Sequence, residues 1–236
     1  ENLVDKYSIS REDQDRFAYN SQMKATRAQK NGILAEEIVP VEIPRRKQDP
    51  LIFADDEFIK AGSSMEILGK LRPAFRKEGG SVTAGNASGL NDGAAALLVA
   101  SDKAVEEHGL KPMAKILSSA VVGVEPRIMG IGPVGASRLA LQRAGLSLDQ
   151  MDVIELNEAF AAQSLACTRE LGLADDDSRV NPNGGAIAIG HPLGMTGARI
   201  LLAAARELKR SKKKYALVTM CIGVGQGYAT VIENVD

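Results

Sequence analysis

Residues 152–172 read DVIELNEAFAAQSLACTRELG. Asp152–Leu156 is a short β-branched and apolar run of strand length, and Glu158–Leu171 has the composition of a helix closed by Gly172. The same rhythm extends in both directions. Upstream, Met113–Gly123 reads as a strand and Gly135–Ala144 as a helix stopped by Gly145; downstream come a glycine-rich loop, a helix from about Thr196 to Lys209, a strand Ala216–Met220, a glycine turn and a last strand Tyr228–Glu233. Strands alternating with helices predict an α/β layered fold with helices packed on a mixed sheet.

The first 110 residues are less regular. Ser10-x-x-Asp13 is a helix start signal and Gly32 a stop, so 10–31 is expected as a surface helix. From Glu37 to Phe75, four prolines, a β-branched run Ile38–Ile43 and the cluster Arg45, Arg46, Lys47 suggest an excursion of loops and short elements. Ser81–Ala84 is then expected as a short strand entering the turn-rich NASGLNDG (86–93), which leaves through AAALLVAS (94–101) as a buried strand. The division that follows is 1–110 and 111–236.

Composition narrows the function classes. With 44% hydrophobic and 25% charged residues, the chain of 236 residues is globular rather than disordered or collagen-like. A net charge of −1, from 29 basic and 30 acidic side chains, offers no field for nucleic acid or an anionic membrane. Two cysteines, Cys167 and Cys221, imply a reducing compartment and no Cys-rich metal site; no metal is expected. No apolar run approaches the roughly 20 residues of a membrane span, and the opening ENLVDKYSISREDQ has no secretory pattern. The chain is expected to be soluble and cytoplasmic.

Three segments hold more special residues than folding needs. In NEAFAAQ (157–163), Asn157 stands where a strand gives way to a helix; it reads either as a cap or as a holder of a water or carbonyl at the ligand-binding end of a sheet. In NPNGGAIAIGHPLG (181–194), His191 is one of two histidines, stiffened by Pro192 on a glycine loop; the other, His108, reads as a solvated helix end. The loop lacks a lysine after its glycines and is no phosphate-binding Walker loop. In CIGVGQG (221–227), the glycines precede a strand and not a helix, which excludes a dinucleotide fingerprint. What remains is Cys221 at a strand end, its sulfur kept accessible by the turn and tunable by a histidine, with backbone N–H groups suited to an oxyanion. A Cys/His/Asn set of this kind points to acyl or thioester chemistry.

At these segments, and at TAGNASGLNDGAAA (83–96), the sequence resembles a thiolase over nearly its whole length, with the four motifs in the family's order. The resemblance implies two similar α/β halves with helices on both sheet faces, and a Cys-based acyl-enzyme mechanism. It implies His191 as the base that deprotonates a nucleophilic cysteine and, with a water held by Asn157, donates to the thioester oxygen. Cys221 would be the general acid/base at the acetyl methyl, and the Gly223 N–H an oxyanion donor. Ala84, Ser88 and Leu90 would contact the pantetheine arm, Phe160 and Met129 would border the acyl pocket, and Lys60 would stand near the nucleotide end. Coenzyme A and acetyl-CoA enter as substrates, not as a prosthetic group, and a homodimer or homotetramer is implied.

The activity implied first is acetyl-CoA C-acetyltransferase, with a degradative 3-ketoacyl-CoA or β-ketoadipyl-CoA thiolase next; a non-catalytic coenzyme A-binding protein is the alternative of another class. The family's acylated cysteine lies in the first half of its chain and matches neither Cys167 nor Cys221. The 236 residues are therefore expected to be the C-terminal part of a thiolase: the end of the first half, its loop region and the complete second half. Such a piece is expected to expose an apolar face and to be poorly stable. The basic run Lys209–Lys214 reads as a helix end complementing the dipole, with coenzyme A phosphate contact as the lesser reading.

Overall fold

The computed structural model describes residues 1–235. In chain order it contains helices α1 (Asn2–Tyr7) and α2 (Arg11–Lys30), a hairpin of β1 (Val41–Ile43) and β2 (Leu51–Phe53), and helices α3 (Met65–Gly69) and α4 (Asp102–His108). There follow β3 (Ala114–Gly123), α5 (Gly132–Ala144), β4 (Val153–Leu156), α6 (Ala161–Glu170), α7 (Ala186–Ile189), α8 (Thr196–Ser211), β5 (Tyr215–Ile222) and β6 (Gln226–Asn234). The main sheet has the order β3-β6-β5-β4, antiparallel at β3/β6 and β6/β5 and parallel at β5/β4. It is mixed, as the alternation of elements predicts.

Side chains of a strand alternate between faces, and each face here is covered by a different helix. Ile154, Leu156, Leu217, Ala229 and Val231 pack with α5 residues Val134, Ala136, Ala140 and Leu141. Val153, Ala216, Val218 and Ile232 pack on the other face with Ile200, Ala204 and Leu208 of α8. The alternation also sorts the site residues: Glu155 and Asn157 share the α8 side with Val153, whereas Cys221 falls with Leu217 on the α5 side. Residues 179–181 pair in parallel with the outer edge of β4, since Ile154 N–H donates to the Arg179 carbonyl and Asn181 N–H to the Ile154 carbonyl.

Several expectations for the first 110 residues need correction. The start and stop of α2 are as read: the Ser10 hydroxyl accepts from the Asp13 N–H, and Gly32 has φ +74°. The helix is not a surface one, however. It buries Gln14, Asp15, Phe17, Ser21, Gln22 and Ala25 against α6, α7 and α3, because the polar groups among them find buried partners that an amphipathic reading does not foresee. Ser81–Ala84 is no ladder strand: the N–H groups of Ser81 and Val82 donate to the Glu1 carboxylate and that of Thr83 to Asn86 Oδ1.

The run 94–100 forms no strand and is exposed, with Leu98 at 83% and Val99 at 72%. A strand needs a neighbour to satisfy its backbone, and none lies beside it among the described residues. Ile116, Val121 and Tyr228, which the α8 layer leaves partly uncovered, are among the other exposed large hydrophobic side chains. The excursion 37–75 bears out its reading: its hairpin is exposed on every residue and turns at Arg45–Lys47, where Lys47 adopts φ +58°.

Candidate active site

The site lies where β4 and β5 end. At the end of β4 the chain does not enter its helix directly. Asn157 N–H donates to the Thr219 carbonyl, Glu158 turns inward, and α6 begins only at Ala161, whose N–H is taken by the Asn86 carbonyl. The expected helix start at Glu158 thus moves by three residues, because Glu158 is engaged in the interior. Its carboxylate accepts from Ser21 Oγ (2.6 Å), Asn181 Nδ2 (2.8 Å) and the Ile187 N–H (3.2 Å), joining α2, the 181–185 loop and α7. Burial raises the pKa of Glu158, against the lowering effect of these donors.

Two glycines let the loop reach this position. Gly184, at φ +85°, passes so close to α2 that a Cβ would lie 2.8 Å from the Ser21 carbonyl oxygen. Gly190, at φ +96°, presses on the Asn91 side chain, whose Oδ1 in turn accepts the His191 N–H at 3.3 Å. The Gly89 carbonyl also accepts this N–H, so the turn-rich 86–93 segment anchors the backbone of His191.

The His191 ring is buried and held at both nitrogens. Nδ1 lies 2.7 Å from Thr196 Oγ1, and Nε2 lies 3.3 Å from Asn157 Nδ2. Burial, and then the Arg199 cation, lower its pKa, so the ring is neutral near pH 7. Asn157 is buried as well, and its Oδ1 has no partner. A buried polar atom without a partner is an acceptor waiting for a donor from a water or a ligand.

Cys221 occupies the other face. It is not accessible as expected but 6% exposed, since it is still within β5 and paired with Gly227 of β6. Burial pushes its thiol up to about 11. It lines a cavity of about 400 Å³ together with Met129, Phe160, Gln163, Arg76 and Arg127. Phe160 meets Phe75 edge to face, with ring centroids 6.2 Å apart. Cys167 is fully buried in α6 and donates to the Gly130 carbonyl, a packed thiol as its helix position implies.

The structure brings His191 into contact with Asn157, and puts Cys221, Met129 and Phe160 on one cavity. Gly223 lies exposed in the three-residue β5–β6 turn that follows Cys221. Ser88 Oγ and N–H both donate to the Ala159 carbonyl, beside the start of α6. Ala84 and Leu90 are exposed and outside that cavity; Lys60 is also exposed, its Nζ 5.2 Å from the Phe58 ring. Thr196, Asn91 and Glu158 carry parts of the geometry that the sequence pattern does not assign to them. For Thr196 the one signal in the sequence is the spacing His191–Pro192–Thr196 across a helix start. The basic run 209–214 enters β5 at its far end, about 23 Å from Cys221 by strand rise.

A family model of the thiolase C-terminal domain matches residues 110–234, and one of the thiolase N-terminal domain matches residues 1–103. The chain belongs to the thiolase family. It is 60% identical over 235 residues to a β-ketoadipyl-CoA thiolase of Acinetobacter baylyi and 53% identical over 234 residues to an acetyl-CoA acetyltransferase of Chromobacterium violaceum. These alignments cover 100% and 99% of the chain, but 58% and 59% of the relatives. Among solved structures, human mitochondrial 3-ketoacyl-CoA thiolase in complex with CoA superposes with a TM-score of 0.93 at 47% identity, over 99% of this thiolase chain and 57% of that one. The chain therefore spans under three fifths of the length of the relatives it matches. No helix among the described residues is long and apolar enough to cross a membrane.

Proposed function

We propose that this chain supplies the proton-transfer half of a thiolase, an acyltransferase that exchanges acyl groups between coenzyme A thioesters through an acyl-cysteine. The observation that carries the reading is the buried pair of a neutral His191 and an Asn157 whose Oδ1 has no partner. In the proposal His191 takes the proton of the nucleophilic cysteine, and Asn157 holds a water that donates to the thioester oxygen. The nucleophile comes from the part of the relatives' length that these residues do not span. Cys221, protonated at neutral pH because its pKa is raised, is ready to donate to the carbanion leaving in thiolysis and is the base in the reverse condensation. The Gly223 N–H contributes to the oxyanion site, Met129 and Phe160 border the acyl group, Ala84, Ser88 and Leu90 follow the pantetheine arm, and Lys60 stands towards the nucleotide.

For the substrate, the degradative reading is favoured over acetoacetyl-CoA. Arg127, exposed and lining the same cavity as Cys221 and Met129, is a cation suited to an acyl chain that ends in a second carboxylate, whereas Arg76 on that cavity is already paired with both carboxylate oxygens of Asp5. The names of relatives 57–60% identical to this chain, thiolases of β-ketoadipyl-CoA or 3-oxoadipyl-CoA, support the same reading. We further place the enzyme in the cytoplasm, consistent with two free cysteines, and as a homodimer or homotetramer.

The test is thiolysis of 3-oxoadipyl-CoA and acetoacetyl-CoA by the polypeptide that extends this chain to the relatives' full length. His191→Ala and Cys221→Ala are each expected to lower kcat by about 10²–10⁴-fold. Wild-type rates in both variants would refute the assigned roles. Coenzyme A binding with no turnover of either substrate would favour a binding protein.

A further inference from the structure

We propose that Thr196 is a positioning residue that fixes the tautomer of His191, keeping the proton on Nδ1 and leaving Nε2 bare towards Asn157. Three short contacts form one chain: Thr196 Oγ1 to the Pro192 carbonyl at 2.8 Å, His191 Nδ1 to Thr196 Oγ1 at 2.7 Å, and Asn157 Nδ2 to His191 Nε2 at 3.3 Å. A hydroxyl has one proton to give, and an amide NH₂ only donates. With the Thr196 proton on the Pro192 carbonyl, Nδ1 donates to Oγ1 and Asn157 Nδ2 donates to Nε2. Every contact then holds one hydrogen.

The other tautomer breaks this order. If Thr196 donates to an unprotonated Nδ1, two oxygens face each other at 2.8 Å with no hydrogen between them, and Nε2–H opposes the Asn157 NH₂ unless the amide turns over. The imidazolium form meets the same conflict at Nε2. Burial in the interior and the nearby Arg199 cation also disfavour it. Thr196 cannot readily turn away, because it is fully buried at the first turn of α8, where its own N–H and that of Met195 also reach the Pro192 carbonyl.

The consequence is a base with a defined atom. Nε2 carries the ring's one lone pair, on the Asn157 side, so an incoming proton is accepted there as the Asn157 amide turns its unpartnered Oδ1 towards the ring, while Nδ1–H stays on Thr196 Oγ1. That acceptor becomes more valuable as the ring gains charge. The catalytic part of this argument rests on the thiolase reading; the tautomer does not.

The experiment is a two-bond proton–nitrogen correlation spectrum of the chain labelled with ¹⁵N-histidine, at a pH where His191 is neutral. Only His108 and His191 contribute, and His108→Gln removes the former. The expected wild-type pattern is a protonated Nδ1 and an unprotonated Nε2. Thr196→Val, of equal shape but without the hydroxyl, is expected to move His191 towards the Nε2–H form, and Thr196→Ser to restore it. A wild-type spectrum showing Nε2–H overturns the proposal by itself, with no variant needed. So does a folded Thr196→Val chain that keeps Nδ1–H.

In the full-length enzyme, Thr196→Val is expected to lower kcat about 10–100-fold with KM little changed, as when an orienting partner of a histidine is lost, and Thr196→Ser to recover it. A shifted tautomer with unchanged kcat would overturn the positioning role. An Nδ1–H spectrum from a protein without thiolysis would support the tautomer and sink the enzyme reading alone.

Discussion

The two interiors of this molecule are built differently. On the α5 side of the sheet the core is made of Val134, Ala140, Ile154, Leu156, Leu217 and Val231, which bury apolar area and little else. Where α2 meets the 81–86 segment and the 181–191 loop, an apolar cluster with Phe17 and Ile187 is joined by many buried polar groups: Gln14, Asp15, Ser21, Glu155, Asn157, Glu158, Asn181 and His191. The apolar interior is held by a non-directional effect and accepts any well-packed hydrophobe of the right size. The polar one is held by bonds that have direction, and each group lost strands a partner. The first tolerates conservative exchange, and the second, which sets the positions of His191 and Asn157, is the more sensitive to the loss of a single group.

Substitutions can break or sharpen this contrast. The largest effect is expected from Glu158→Leu, which keeps approximate volume but strands the Ser21 hydroxyl, the Asn181 amide and the Ile187 N–H; a loss of about 4 kcal/mol in a denaturant titration follows from orphaning several buried donors. Leu217→Ala on the apolar side is expected to cost about 3 kcal/mol by the same titration, through a cavity alone. If Glu158→Leu were instead tolerated better than Leu217→Ala, the polar interior would be shown to be dispensable packing.

Titration sharpens the contrast further. Burial pushes Glu155 up to about 8 from an ordinary 4.5, with Glu37 and Glu158 adding to the rise and Arg199 and Lys24 opposing it. Between those values the folded chain keeps a proton that the unfolded chain has released, so stability falls as pH rises from about 4.5 to 8. Glu155→Gln is expected to flatten that part of the profile in thermal melts at stepped pH, leaving a residual slope from Glu37 and Glu158, whose pKa values are also raised. An unaltered slope would place the titration elsewhere. The smallest effect is expected for Leu217→Met, under about 1.5 kcal/mol in denaturant, because an apolar site of conserved volume repacks.

Much of the sheet half is legible in the sequence. Strands 114–123, 153–156, 215–222 and 226–234 stand where apolar runs bounded by turn residues put them, and α5 ends at Gly145 with the left-handed backbone that a glycine stop implies. The region before residue 111 is less legible for one reason: an apolar run such as 94–100 becomes a strand only if an edge is available to pair with it. Site legibility divides the same way. His191, Asn157 and Cys221 stand out by residue type and by their place among glycines and strand ends. Cys221 is less exposed than expected, because a glycine turn two residues on does not free a side chain still within the ladder, and it is reached only from the cavity that it lines.

The sequence by itself determined the alternation of strands and helices, the helix boundaries set by capping residues, and the residue types able to do acyl chemistry. These are properties of local period, backbone preference and side-chain chemistry, written over a few neighbouring residues. Tertiary structure alone decided that Glu158 serves α2 and the 181–187 loop rather than a helix dipole, that Thr196 faces Nδ1 of His191, and that Asn157 Oδ1 is left without a partner. Those outcomes depend on which donors and acceptors from distant parts of the chain come within about 3 Å of one another, and no local pattern carries that information.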